Sequence, residues 1–417
     1  MKRIFAFFLA VSLLFLTACT PDSLVATGGS DGKGDPQAPS VSFPKDTIVF
    51  LGGDFIHLPS RVVFYMNISL GKSHNVYYSK ADGNVYSYCF DPLCDHGGGK
   101  CLAVPASVET FSFELNTVCF IQDRFYAVAP TLGKILSFAF DGTDKRWEYD
   151  SGYTDLQAIP NGAWTPNIIA YGPYIYIDQR ATTSEDGRQH LLRFNIETKE
   201  MEDLTEKTGR YVSPTFFYND VMYGRGEKRE YVKASADLTV CEEVEKYQYS
   251  SHFSGSTFIS EVWDKEKASI GFTTYDMATG ESKEIPKAKL GLSEDDRVAL
   301  LSVDENYIYY YNAKEILAGY KRHPKTGDKV PVYKCDGKIY RAKHDGTDAI
   351  CIYNNPEIDY SYQATVFDGT TIIVYGSVYR PVEGEEEGII EETKGYYVGT
   401  LREDGTIDSL DPVLVVS

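Results

Sequence analysis

Positive charge is scarce in this chain of 417 residues: 41 Lys+Arg stand against 60 Asp+Glu, a formal net charge of −19. So acidic a chain repels phosphate backbones and anionic head groups, which excludes a nucleic-acid partner and electrostatic membrane docking. Long apolar runs are absent beyond Leu16. No later segment reaches the roughly 20 residues that a membrane-spanning helix needs. Long helical periodicities are few. Catalytic signatures are missing as well: there is no HExxH, no GxSxG, no phosphate-cradling glycine loop and no CxxC pair. Those absences remove the usual sequence grounds for a zinc peptidase, a serine hydrolase of the nucleophile-elbow type, a P-loop NTPase or a dithiol redox enzyme. Histidines 57, 74, 190, 252, 323 and 344 are scattered. Sixty carboxylates include pairs by chance, so no acid–base couple can be chosen without a fold.

What the chain has in quantity is aromatic and apolar. It is 43% hydrophobic, enough for a large core, which excludes global disorder. Its 32 Tyr, 22 Phe and 35 Gly favour strands and tight turns over helices. The sequence therefore predicts an all-β protein.

The N-terminus reads as an address. Met1-Lys2-Arg3 is basic, and Ile4 to Leu16 is apolar but too short to span a membrane. Leu16-Thr17-Ala18-Cys19 follows and resembles the lipobox of bacterial lipoproteins. The resemblance implies a signal peptide over residues 1–18, lipidation of Cys19 and an extracytoplasmic, membrane-tethered body. Acyl chains contribute about 0.8 kcal/mol per buried CH₂, so two or three anchor firmly. Membrane contact is then by the lipid anchor only. Residues 19–45 are rich in Gly, Ser, Pro and Asp and lack periodicity, as a flexible tether does.

From Asp46 onward, short apolar or aromatic runs alternate with turn dipeptides such as Asp82-Gly83, Asp141-Gly142, Thr279-Gly280, Asp336-Gly337, Asp345-Gly346 and Asp404-Gly405. Asp-Gly between two such runs is a hairpin signal, because tight turns need positive φ. The runs also repeat. ILSFAFDGTDKRWEY from Ile135 returns as IYRAKHDGTDAICIY from Ile339, an offset of four units of about 51 residues. Weaker copies begin at Val85, Leu191, Tyr231, Phe272 and Gly399. Residues 46–417 thus hold about seven units, the period of propeller blades. A single four-stranded blade cannot bury both faces, whereas radial packing buries them all. The expectation is a β-propeller of about seven four-stranded blades, six or eight being the neighbouring counts. Tyr and Phe would fill the wedges between blades. Two β-sandwich domains are the competing architecture, but they do not explain a repeat returning after four equal units.

The lipobox LTAC, the phrases KIYRAKHDGTD and KILSFAFDGTD, and the segment CFDPLCDHGGGKC carry a closer resemblance. The chain resembles TolB-like propellers, and within them propeller lipoproteins of anaerobic Gram-positive bacteria. That group implies fold and location more than activity.

Cys89, Cys94, His96 and Cys101 lie within 13 residues. Aligning Asp91 with Asp141 and Asp345 puts them on a hairpin turn of the first blade. Three thiolates and an imidazole suit tetrahedral Zn²⁺, which would make this a structural zinc site. Disulfide chemistry is the alternative, since exported proteins oxidise their thiols. Seven cysteines remain after Cys19, so complete pairing within one chain is impossible. Cys335 and Cys351 flank one strand pair, and a disulfide between them is sterically open.

Two further segments stand out. Ala318–Gly337 is basic within an acidic chain, with Lys321, Arg322 and His323 as candidate ligand contacts. It lies in an expanded unit and reads as a long hairpin able to meet an acidic ligand or partner. Glu383–Glu392 is acidic and reads as another hairpin tip. Together these features predict a lipid-anchored extracytoplasmic propeller that recognises or scaffolds an extracellular or cell-wall peptide, glycan or protein. An extracellular hydrolase or lyase with acidic residues at the propeller funnel is the alternative. No catalytic residue can be assigned from sequence.

Overall fold

The computed structural model describes residues 49–50, 55–58, 61–67, 73–87, 118–121, 124–129, 134–139, 144–150, 167–179, 189–245, 248–264, 269–367 and 369–416. Nearly every element is a β-strand. The first, β1 (Val49–Phe50), stands apart from the blade that follows it. Blade 1 is Phe55–Leu58, Arg61–Asn67, Ser73–Ser79 and Val85–Ser87 (β2–β5). Blade 2 is Val118–Ile121, Arg124–Ala129, Lys134–Ala139 and Arg146–Asp150 (β6–β9). Blade 3 is Asn167–Tyr171, Tyr174–Gln179, His190–Asn195 and Met201–Asp203 (β10–β13). Blade 4 is Val212–Tyr218, Val221–Gly226, Tyr231–Ser235 and Cys241–Glu243 (β14–β17). Blade 5 is Phe253–Ser254, Thr257–Trp263, Ser269–Asp276 and Ser282–Pro286 (β18–β21). Blade 6 has Val298–Val303 (β22) and Tyr307–Asn312 (β23), then an inserted pair, Ile316–Arg322 (β24) and Lys329–Lys334 (β25). It closes with Lys338–Lys343 (β26) and Ile350–Asn354 (β27). Blade 7 is Ile358–Phe367, Thr371–Pro381, Ile390–Thr400 and Asp411–Val416 (β28–β31).

Each blade is an antiparallel meander of four strands, consecutive in the chain except for the pair inserted in blade 6, and the seven together make a β-propeller. The first strands of successive blades approach one another, β6 to β10, β10 to β14 and β22 to β28, so they form the innermost ring. Among the described residues, no strand crosses between blades 7 and 1. Apolar packing closes that seam: Val76 and Tyr78 of blade 1 meet Ile373, Tyr396 and Val398 of blade 7.

The aromatic richness has the expected use. Phe217 of blade 4 stacks on Tyr171 of blade 3, with centroids 4.4 Å apart. Phe216, on the opposite face, meets Phe258 of blade 5 edge-on at 4.9 Å. Phe272 of blade 5 meets Tyr310 of blade 6 at 5.8 Å. Two buried tyrosines take their hydroxyls across a blade junction. Tyr176 donates to the Ala236 carbonyl at 3.0 Å, and Tyr310 to the Leu290 carbonyl at 2.7 Å.

The repeated DGT phrase has a local cause. In the hairpin joining β26 to β27, Asp345 Oδ1 accepts the Thr347 N–H at 2.9 Å and its hydroxyl at 2.6 Å. Asp237 does the same with Thr239 in blade 4, and Asp404 with Thr406 in blade 7. Asp82, Asn195 and Asp276 accept the backbone N–H two residues on in blades 1, 3 and 5. A side chain that closes its own turn fixes the hairpin before any blade packs.

Two expectations need correction. The third-to-fourth-strand turn of blade 1 is Asp82-Gly83, between β4 and β5, so Asp82 and not Asp91 corresponds to Asp345. Val85 opens the fourth strand of blade 1; Cys89, Cys94, His96 and Cys101 come later in the chain, outside the described residues. Asp336-Gly337 is likewise no hairpin tip. It lies where the inserted pair rejoins the blade, and a Cβ on Gly337 would sit 1.9 Å from the Asn355 carbonyl oxygen. Only glycine permits that approach at a φ of +75°.

Candidate functional site

Two blade junctions place carboxylates beside the innermost strands. Asp178 is the fifth residue of β11 and is 1% exposed. It reaches across to blade 4, where Tyr211 donates to Oδ1 at 2.5 Å and Ser213 to Oδ2 at 2.7 Å. Glu261 is the fifth residue of β19 and reaches toward blade 6 in the same way. Its Oε1 accepts the Leu300 N–H at 2.7 Å. Strand β22 bulges there, because Leu301 is an extra residue between the Leu300 and Ser302 pairings. Burial pushes the Glu261 carboxyl pKa up, and the Leu300 N–H offsets part of the rise.

His252 serves the same bulge. Its carbonyl accepts the Ile259 N–H, so it lies opposite Ile259 and on the same face of blade 5 as Glu261. Burial lowers the His252 pKa, against a hydrogen bond to the Leu301 backbone. A carboxyl and an imidazole from blade 5 thus satisfy backbone groups that the bulge leaves unmatched. The funnel alternative calls for buried acidic groups that converge. Asp178 is buried and Glu261 half-buried, but they belong to separate junctions, each with its own partners. Sequence reading passed over both; the signal was an acid at position five of YIYIDQ and TFISEVW, where the other units carry apolar residues or arginine.

The basic segment forms the hairpin β24–β25, as expected of the expanded unit. Its ligand, however, lies within the chain. Strand β24 runs beside the tip of the blade 7 hairpin, with the Tyr320 N–H donating to the Gly388 carbonyl at 2.8 Å. Gly319 allows the approach, since a Cβ there would lie 2.9 Å from that same carbonyl oxygen. Lys321 pairs with Glu392 at 2.5 Å, and Arg322 with Glu385 at 3.0 Å. Lys329 pairs with Glu386 at 3.0 Å. Ser377 donates a further bond to Glu392 at 2.8 Å. His323 turns inward on its own hairpin, its Nδ1 facing the N–H groups of Lys325 and Thr326 at 3.3 Å. The basic and acidic tips are therefore two halves of one ionic clamp. The hairpin also exposes large apolar side chains: Leu317 and Tyr333, paired across it, are each 51% exposed, and Ile316 and Val330 are exposed on the other face.

Cys19 and the set Cys89, Cys94, His96 and Cys101 lie outside the described residues. Cys335 and Cys351 form no disulfide: Cys335 is buried, and the exposed Cys351 donates from Sγ to the Tyr353 carbonyl at 3.2 Å. No described helix is long and apolar enough to cross a membrane.

The architecture defines a β-propeller protein, and comparison with known proteins stops at that class. No family model matches the chain, and no curated protein matches it. Among solved structures, it is similar to the β-propeller domain of the Trilobed protease from Pyrococcus furiosus, at 10% identity over 87% of this chain and 99% of that one, with a TM-score of 0.40. TolB from Acinetobacter baumannii matches at 10% identity over 85% of this chain and 79% of that one, with a TM-score of 0.29. An oligogalacturonate lyase in complex with manganese matches at 13% identity and a TM-score of 0.29; the match covers 55% of this chain and 59% of the lyase. At such identities the likeness concerns the fold alone.

Proposed function

We propose that the chain is a lipid-anchored, extracytoplasmic propeller that recognises or scaffolds a protein partner. The lipobox-like LTAC and the tether-like composition of residues 19–45 support the location. The observation that carries the function is the β24–β25 arm. It stands outside the seven blade sheets, and three of its cations, Lys321, Arg322 and Lys329, are already paired with the chain's own glutamates. An acidic ligand would have to displace those pairs. An apolar protein surface meets Leu317 and Tyr333 directly, and large exposed aromatics rimmed by charge are what protein interfaces use. The arm has the edge protection of a monomer as well: Pro331 and the flanking Lys329 and Lys334 block indiscriminate strand pairing along β25.

The test is site-specific photo-cross-linking on intact cells with a photoreactive residue in place of Tyr333. A discrete cross-linked protein, reduced about tenfold or more by Leu317→Asp, is the expected result for an apolar anchor. A surface-displayed chain that yields no cross-link, or one indifferent to Leu317→Asp, overturns the reading.

A further inference from the structure

One strand of the molecule is not where its sequence neighbours are. β1 precedes blade 1 in the chain, yet it pairs antiparallel with β14, the innermost strand of blade 4. Val49 lies opposite Phe217, and Phe50 opposite Phe216. Among the described blades, only blade 4 carries such a fifth strand. β1 also approaches β10 of blade 3, so it lies against two successive innermost strands.

Three features make this a strand-addition site. The inner edge of a blade presents unpaired backbone N–H and C=O groups, the template that an extended peptide can extend. The side-chain pocket is formed across a junction: Val49 packs on the cluster containing Ile169 and Tyr171 of blade 3 and Phe217 and Met222 of blade 4. The length is limited from within. Pro214 lacks an N–H, and a bulge between Pro214 and Phe216 breaks the register, so pairing stops short of the start of β14.

We propose that this inner edge is a binding site for a short extended apolar peptide, and that β1 is its resident competitor. A pairing of two residues is too short to be stable by itself. In the sequence it follows the Gly/Ser/Pro/Asp-rich tether and precedes Gly52 and Gly53, before blade 1 begins at Phe55. β1 can therefore leave without removing any strand from a four-stranded blade. The preferred ligand carries a β-branched aliphatic residue at the position of Val49. Its flanks are neutral or basic, because the chain carries a net charge of −19. While β1 is seated, apparent affinity in trans is the intrinsic affinity multiplied by the fraction of molecules in which the edge is open.

The test uses the full chain and a dye-labelled, end-blocked, uncharged peptide with the sequence of residues 47–51, Thr-Ile-Val-Phe-Leu. Val49→Asp in the chain puts a carboxylate into the apolar pocket and frees the edge. That variant is expected to bind the peptide at least about tenfold more tightly than the unmodified chain. A control peptide with aspartate in place of its valine is expected to bind neither protein. Equal binding of both peptides, or a folded Val49→Asp chain that gains no affinity, overturns the proposal. Hydrogen exchange on the unmodified chain covers the case in which the variant does not fold. Amides of Val49 and Phe50 are expected to exchange well ahead of those in β15, and exchange only with β15 overturns the proposal. Neither result bears on cross-linking at Tyr333, so this site and the arm fail or stand separately.

Discussion

Glu261 keeps a carboxyl where two blades meet, and its cost depends on pH. Its pKa in the folded chain lies above the ordinary 4.5 because burial disfavours the charge. The folded state therefore holds that proton more tightly than the unfolded state. The stability this supplies is present below pH 4.5 and is lost as pH rises through the raised value. His252 works in the opposite direction. Its folded pKa lies below 6.5, so its contribution is present above pH 6.5 and is lost as pH falls through the depressed value. Glu261→Gln keeps an acceptor for the Leu300 N–H and removes the buried charge. It is expected to raise the melting temperature at pH 7 by roughly 1–3 °C, with the gain vanishing below pH 4.5. A variant that melts lower at pH 7 would show that the ionised carboxylate stabilises the junction. Neither residue was singled out by sequence. An acid in a strand reads as solvent-facing until the next blade is placed over it.

The Asp-x-Thr turns act at the scale of the hairpin. Bonds from Ser235 and Thr239 hold the Asp237 pKa down to about 2, from an ordinary 3.8. Asp345 and Asp404 are lowered by the same kind of bonds from Thr347 and Thr406. A depressed carboxyl stabilises the fold above its unfolded pKa and loses that contribution as pH falls through its folded one. The Asp237 turn should therefore weaken between about pH 4 and pH 2, and the Asp345 and Asp404 turns as pH falls below 3.8. Asp345→Ala is expected to cost about 0.5–1.5 kcal/mol at pH 7, read by denaturant unfolding, and less at pH 2. An equal cost at both values would show that the carboxylate bonds do not hold the turn. These hairpins were legible as DGT phrases because an Asx turn is made of adjacent residues. The ionic clamp was legible only in halves: of two runs some sixty residues apart, the basic one was read as meeting an outside ligand and the acidic one as a separate hairpin tip. Which charges meet is decided by the neighbouring blades that carry them.

At the scale of the ring, closure rests on side chains. Blades 7 and 1 are joined by Val76, Tyr78, Ile373, Tyr396 and Val398, with no strand shared among the described residues. Ile373 is fully buried there, so Ile373→Ala is expected to cost about 2–5 kcal/mol and to open the seam first. Hydrogen exchange would show early loss of protection in blades 1 and 7; uniform loss across the ring would show that closure is no weaker than the other junctions. The residues by themselves determined the strand content, the turns, the repeat of about seven units and the Tyr/Phe filling, because each depends on contacts within a hairpin or on a period. They misplaced the blade 1 turn, since Asp82-Gly83 and Phe90-Asp91-Pro92 offer two turn-like phrases and only strand pairing chooses between them. Tertiary structure alone decided that Asp178 meets Tyr211 and Ser213, that the basic arm meets its own glutamates, and that β1 settles on blade 4. Those pairs are far apart in sequence, and their free energy appears only once the ring has brought the blades together.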